Sequence, residues 1–200
     1  MTDVVADDDG RARCGWADIA GTRPATADSV MYRDYHDDEW GRPLHGAQAL
    51  FERMSLEAFQ SGLSWLIILR KRENFRRAFQ GFDIGKVARF TDRDVARLMA
   101  DVGIVRNRAK VDATIANARV AADLDVDLDE LLWSFAPAPR ARPAALSDVP
   151  AISPESTAMA KELKRRGFRF VGPTTAYALM QATGMVDDHV ATCWVPAAGA

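Results

Sequence analysis

Two hundred residues with a net charge of −2 make one large domain or two small ones, long enough to bury roughly 70% of the unfolded surface without staples. Hydrophobic residues at 48% and charged residues at 27% exclude a disordered chain, a collagen and a cysteine-rich miniature scaffold. No apolar run approaches the ~20 residues of a membrane helix, and the acidic start, with Asp3, Asp7, Asp8 and Asp9, lacks the apolar stretch of a secretory signal.

Residues 1–12 read as a disordered acidic tail and 197–200 as a second one, leaving a single all-α domain over 13–196. Leu50, Phe51, Met54 and Ala58 recur at three- and four-residue steps, which predicts a helix over 47–60. Ser64 to Leu69 is almost wholly apolar and runs without a turn signal into Arg70-Lys71-Arg72-Glu73, so it reads as the start of a buried helix. Phe82 to Gly85 reads as a loop. Thr91 or Asp92 can cap a helix carrying Val95, Leu98 and Met99. Gly103 interrupts it, and Val111, Ile115 and Ala118 mark the next. Leu128 to Phe135 reads as a short helix. Pro137, Pro139 and Pro143 then mark a surface loop. Ser153-Pro154-Glu155 is a strong helix start, with Ser as cap, Pro at the first helical position and an acid in the first turn. That helix stops at Gly167, and a last one runs from Pro173 to about Thr183. No convincing alternating strand is present.

The two cysteines, Cys14 and Cys193, are too few for a secreted disulfide framework, which makes a reducing cytoplasm the default. They are open to three readings: inert thiols, an end-to-end disulfide, or half of a metal site. His36 accompanies Cys14, and His189 lies four residues before Cys193, a spacing that puts both on one face of a helix. Two Cys and two His complete a tetrahedral zinc shell with no position left for water, so a zinc held here is structural. The alternative is two buried thiols and two satisfied histidines. His45, beside Pro43 and Gly46, reads as an exposed loop residue with no role.

Residues 163–176 form a helix–hairpin–helix pattern: a basic helix end, Gly167, a tight apolar turn to Gly172, and a new helix at Pro173-Thr174-Thr175. Free N–H groups at that second start make a seat for phosphate. Lys164, Arg165, Arg166 and Arg169 supply local positive charge despite the near-neutral total. The alternative is a helical turn with a solvated basic face. Two further basic segments, 70–77 and 106–110, add to the case for DNA. Tyr32 to Gly41, with Trp16, Glu57 and Trp65, concentrates aromatics and acids. Such rings can stack on nucleobases and a carboxylate can accept from a base amino group, or they are core residues with satisfied polar ends.

Cys14-Gly15-Trp16, Tyr35-His36-Asp37-Asp38-Glu39-Trp40-Gly41, Leu56-Glu57, Gln60-Ser61-Gly62-Leu63-Ser64-Trp65, Lys71-Arg72-Glu73-Asn74, Gly103-Ile104, Trp133-Ser134-Phe135, Lys164 to Gly172, Asp188-His189 and Cys193 together resemble the 3-methyladenine DNA glycosylase I family. The motifs stand in family order from about Arg13 to Pro196. The resemblance implies the helix-hairpin-helix DNA glycosylase fold, with one structural zinc on Cys14, His36, His189 and Cys193 joining the two chain ends. It implies Glu57 as the reader of the 3-methyladenine amino edge, with Trp16, Tyr32, Tyr35 and Trp65 around the base. Gly62 and Leu63 match the segment that probes the gap left by a flipped base. Lys164, Arg165, Arg169, Gly172 and Thr174 are expected to hold phosphate. The expected partner is double-stranded alkylated DNA, met by a monomer with no membrane attachment.

A base alkylated at N3 is cationic and leaves readily, so the implied enzyme needs base flipping and binding of the leaving base more than acid catalysis. No lysine occupies the middle of the hairpin, near which Thr174 stands, so base release without strand cleavage is expected. Two other readings compete: a zinc-stabilised DNA-binding module without catalysis, which an intact Glu57 and Trp65 weigh against, and a zinc hydrolase, which a closed four-ligand shell disfavours. The stretch Ala17 to Pro24 exceeds what the family leads one to expect and bears on substrate range.

Overall fold

The computed structural model describes residues 2–6, 9–18 and 26–197. These contain nine α-helices, several single turns and one small sheet. Most of the stretch Ala17 to Pro24 lies outside the described residues, as do Asp7, Asp8 and residues 198–200.

Where the sequence reads as one domain, the chain forms two compact units, each assembled from separate stretches. The first comprises residues 1–43, 136–151 and 180–200; the second comprises 44–135 and 152–179. Boundaries of that kind leave no linker-like composition to read along the sequence.

The second unit is helical: α2 (Ala47–Gln60), α3 (Trp65–Ala78), α4 (Ile84–Ala88), α5 (Asp92–Ala100), α6 (Arg108–Ala122), α7 (Leu128–Trp133), α8 (Pro154–Arg165) and most of α9 (Pro173–Ala182). The apolar stripe expected on α2 is buried, as are Val111, Ile115 and Ala118 on α6. Phe51, Phe59, Phe75, Phe79 and Phe82 are fully buried and contact one another ring to ring, making an aromatic spine among α2, α3 and the turn that follows. The apolar run from Ser64 does start a helix, with Ser64 at its N-cap. Thr91 caps α5, its N–H donating to the Asp94 carboxylate at 3.0 Å. Ser153 caps α8 with Pro154 at the first position.

The expected loop at 82–85 is instead the start of α4, capped by Asp83, whose carboxylate accepts from the Lys86 N–H at 2.8 Å. Five residues with a glycine inside are too few to show a period. His45 is exposed as expected, yet it has a structural role. Its ring stacks on Trp133 at 4.4 Å and its Nδ1 lies 3.0 Å from Asp129.

The first unit departs further from expectation. Val4–Ala6 (β1) pairs antiparallel with Ala12–Cys14 (β2), Val4 opposite Cys14 and Ala6 opposite Ala12. So the described part of the acidic tail is not a disordered end. Val4 packs on the cluster of Cys14, Val190, Cys193 and Val195, and the Asp9 carboxylate accepts from Arg13 at 2.8 Å. A three-residue strand is too short for an alternation to register. α1 (Ala27–Asp34) is capped by Thr26 and continues into one π turn over Tyr35–Glu39. The proline-containing stretch is pinned rather than loose: Arg140 donates to Asp188 at 2.7 Å, Arg142 to Asp187 at 2.8 Å, and the Ala191 N–H to the Pro143 carbonyl at 2.8 Å.

Candidate functional site

The first unit gathers both cysteines and two of the three histidines. Cys14 ends β2 and His36 sits in the π turn, a local widening that recurs at functional sites. In that turn the Trp40 N–H bonds to the Tyr35 carbonyl at 2.9 Å, and Tyr35, His36 and Asp37 are all buried. His189 and Cys193 come from the C-terminal segment. That segment is a sequence of turns rather than the helix their spacing allows, with the Cys193 N–H on the Val190 carbonyl at 2.8 Å.

Ligating atoms of Cys14, His36 and Cys193 lie within 4.8 Å of one another, and all three residues are buried. The His189 ring stands edge-on to His36, centroids 5.0 Å apart, and is also buried. Both cysteines are free thiols, which sets aside the end-to-end disulfide.

What surrounds these four residues fits a metal. His36 Nδ1 meets Asp37 Oδ1 at 2.8 Å and His189 Nδ1 meets Asp187 Oδ1 at 2.9 Å. A carboxylate on Nδ1 fixes the tautomer that leaves the Nε2 lone pair for a ligand, the carboxylate–histidine arrangement found behind zinc. Asp37 is in turn gripped by Arg13 at 2.7 and 3.0 Å and by the Trp194 indole at 3.2 Å. Burial alone would raise the Asp37 carboxyl, but the hydrogen bonds from Arg13 and His36 hold it below its ordinary value. Asp187 behaves alike, with His189 and Arg142 outweighing burial. The paired thiols share one hydrogen bond, which lowers Cys193 and raises Cys14. The Val190 N–H points at Cys14 Sγ from 3.4 Å. Gly41 lets this cluster close. At φ 74° it approaches the His189 ring so tightly that a Cβ would stand 2.7 Å from Cε1.

Three of the expected base-lining aromatics belong to this unit as well. Trp16 lies in the turn Gly15–Ala17 and meets Tyr32 at 5.7 Å and His36 at 5.1 Å, both edge-on; Tyr35 is buried. Trp40, absent from the sequence-based set, bridges Trp16 at 4.9 Å and His189 at 4.7 Å. Asp37, Asp187 and Arg13 were also missed. Their one usable signal is an acid one residue after His36 and two before His189. Asp187 and Asp188 are thus occupied, the first on His189 and Arg142, the second on Arg140 and Gln181.

Glu57 and Trp65 belong to the second unit. Glu57 is on α2 and 5% exposed. Burial raises its carboxyl to about 7, and the charge of Arg53, one helical turn earlier, pulls it down without cancelling that effect. The Arg53 guanidinium lies 5.7 Å from the Trp65 ring centroid, close enough for a cation–π contact.

Between α2 and α3 the chain makes a type II turn. Ser61 takes φ −47°, ψ 118°, Gly62 takes φ 79°, and the Leu63 N–H closes on the Gln60 carbonyl at 2.7 Å. The third position of such a turn requires positive φ, which explains the glycine. Leu63 emerges 36% exposed.

α8 ends at Gly167, φ 102°, with the Phe168 N–H returning to the Leu163 carbonyl at 2.9 Å. Lys164, Arg165, Arg169, Gly172 and Thr174 are all exposed in or beside this second turn. The Arg165 guanidinium, however, is engaged by Glu162 at 2.6 Å, and Arg166 bridges Glu162 and Asp125 at 2.7 Å each. Of the 106–110 basic segment, Lys110 is buried and takes no part in a surface patch. In the 70–77 segment, Lys71 donates to the Val102 carbonyl at 2.9 Å and Arg76 pairs with Glu52 at 2.8 Å.

Comparison with known proteins matches residues 25–196 to the family described as methyladenine glycosylase. The DNA-3-methyladenine glycosylase 1 of Escherichia coli (strain K12) is 42% identical over 186 residues, 90% of this chain and 95% of that protein. A crystal structure of 3-methyladenine DNA glycosylase I superposes with a TM-score of 0.82 at 40% identity, covering 91% of this chain and 98% of the other. The 3-methyladenine DNA glycosylase I of Staphylococcus aureus, solved to show how it recognises 3-methyladenine, gives a TM-score of 0.81 at 34% identity, over 88% and 94%.

Proposed function

The chain belongs to the methyladenine glycosylase family, and from that premise we propose that it extrudes an N3-alkylated purine from double-stranded DNA and releases 3-methyladenine by hydrolysis, without cutting the strand. The observation that carries this reading is Glu57: a buried carboxyl, raised to about 7 by burial, on the helix that leads into the turn before Trp65.

A carboxyl in that state suits a cationic ligand. Its charge is costly while the site is empty and is offset when a positive base arrives, so it discriminates against neutral adenine. Accepting a hydrogen bond from the base amino group adds roughly 1.5–3 kcal/mol for a charged partner. The family resemblance gives Trp16, Tyr32, Tyr35 and Trp65 the part of stacking on the cationic ring. As the glycosidic bond stretches, the base takes up the bonding electrons and leaves as neutral 3-methyladenine while the positive charge passes to the sugar, so these contacts select and hold the damaged base rather than strengthen in the transition state. Water then takes the anomeric carbon. The hairpin lacks a lysine at Thr174, which supports release of the base without a covalent sugar adduct.

Cys14, His36, His189 and Cys193 would hold one structural zinc; bound there, it closes its own shell and contributes to folding rather than to the reaction. Leu63, carried on the Gly62 turn, would fill the gap in the duplex. Lys164, Arg165, Arg169, Gly172 and Thr174, on a helix–hairpin–helix formed by α8 and α9, would grip phosphate, Arg165 exchanging Glu162 for it. Exposed pairs of that kind are weak enough to exchange. The experiment is to incubate the zinc-loaded protein with N-methylated duplex DNA, follow free 3-methyladenine, and check the strand on a denaturing gel. Free base with an intact strand is expected. Nicked DNA, or no free base, contradicts the reading.

A further inference from the structure

The second unit contains two buried polar side chains whose only evident purpose is to hold backbone on its surface. Both are on α6. Lys110 is 7% exposed, and its Nζ donates to the Phe59 carbonyl at 2.9 Å and to the Ser61 carbonyl at 2.6 Å. Asn117 is 2% exposed; its Oδ1 accepts from the Arg169 N–H at 2.7 Å and its Nδ2 donates to the Arg169 carbonyl at 3.0 Å. Seven residues apart, the two side chains share one face of the helix, about 10 Å apart along its axis.

Each strut ends on a different exposed turn. Ser61 is the second residue of the type II turn that presents Leu63, and the carbonyl it offers to Lys110 is the one such a turn leaves unbonded within itself. Arg169 is the middle of the turn joining α8 to α9, between buried Phe168 and Phe170, which holds φ 56° and is 42% exposed. Burying an ammonium is costly, and burial lowers the Lys110 pKa. A neutral side chain would fill the volume at lower cost if volume were all that mattered.

We propose that Lys110 and Asn117 are positioning residues that fix the separation of the 60–63 and 166–172 turns, so that both meet one DNA duplex in register. The proposal rests on the reading of these turns as DNA contacts. Two contacts on one rigid frame reinforce each other through effective concentration; a turn that drifts loses its own contact and the help it lends the other.

The test compares two ligands: a duplex carrying a stable abasic-site analogue, which needs both turns, and free 3-methyladenine, which needs neither. Lys110→Met and Asn117→Ala are each expected to weaken the duplex about tenfold and leave free-base binding within about twofold, and the double variant should lose far less than the ~100-fold product, because register is lost only once. Lys110→Arg keeps donors for the carbonyls and should recover most of the affinity. Where Lys110→Met does not fold, Asn117→Asp, which keeps the acceptor and removes the donor, carries the same pair of measurements. Unchanged duplex affinity in a folded variant, or equal loss for duplex and free base, overturns the proposal. If the wild-type protein binds neither ligand, the functional reading fails instead, and the two failures are thereby told apart.

Discussion

Asp37 and Glu57 are both buried carboxyls, and their surroundings push them in opposite directions. Asp37, in the first unit, receives hydrogen bonds from Arg13, from Trp194 and from the His36 ring; burial raises its carboxyl, but Arg13 and His36 outweigh that and hold it below its ordinary value. Glu57, in the second, is governed by burial and rises to about 7. The first belongs to a framework already complete. The second is left under-compensated, which is the state of a group awaiting a ligand.

The largest expected effect comes from removing the framework's ligands. Cys193→Ala should abolish stoichiometric zinc in the purified protein and lower its melting temperature sharply, because metal binding energy here is folding energy. Metal analysis beside a thermal melt checks both. Next is Asp37→Asn, which leaves Arg13 its Asp9 partner but removes the buried carboxylate it also holds, at a cost of about 1–3 kcal/mol. It also releases the His36 ring, which should weaken zinc by about 10–100-fold in a chelator competition.

Glu57→Gln should go the other way. In the folded chain Glu57 holds a proton between its ordinary 4.5 and about 7, where the unfolded chain has lost it, so its contribution to stability falls as pH rises through that window. Removing the carboxylate should therefore stabilise the protein at about pH 8, by up to about 3 kcal/mol, with the gain vanishing below about pH 5. Urea unfolding at the two pH values measures it. The smallest effect is expected from Arg165→Ala. Melting temperature should hardly move, and the slope of log affinity for abasic duplex against log salt should fall by about one.

The helices α2, α6, α8 and α9 were legible because each carries a long apolar stripe or an emphatic cap. The cluster of Cys14, His36, His189 and Cys193 was legible because sulfur and imidazole are scarce in this chain and stand near its two ends. What stayed hidden is of two kinds. Some elements are too short to show a period: β1, α4, and the turns that carry His189 and Cys193 where spacing allowed a helix. Other features depend on partners distant in sequence. Lys110 reads as one more surface cation beside Arg106 and Arg108, and only the Phe59 and Ser61 carbonyls reveal a buried strut. Asp37 and Asp187 were in plain view beside their histidines, yet an acid next to a histidine carries no direction until the ring faces it.

The central claim is that Glu57 reads the amino edge of 3-methyladenine. It is tested most directly by titrating free 3-methyladenine into zinc-loaded wild-type protein and Glu57→Gln, both verified as folded by thermal melt. Loss of a hydrogen bond to a charged group predicts binding weaker by about 10- to 150-fold in a variant at least as stable as the wild type. Equal affinity in the two folded proteins would contradict it.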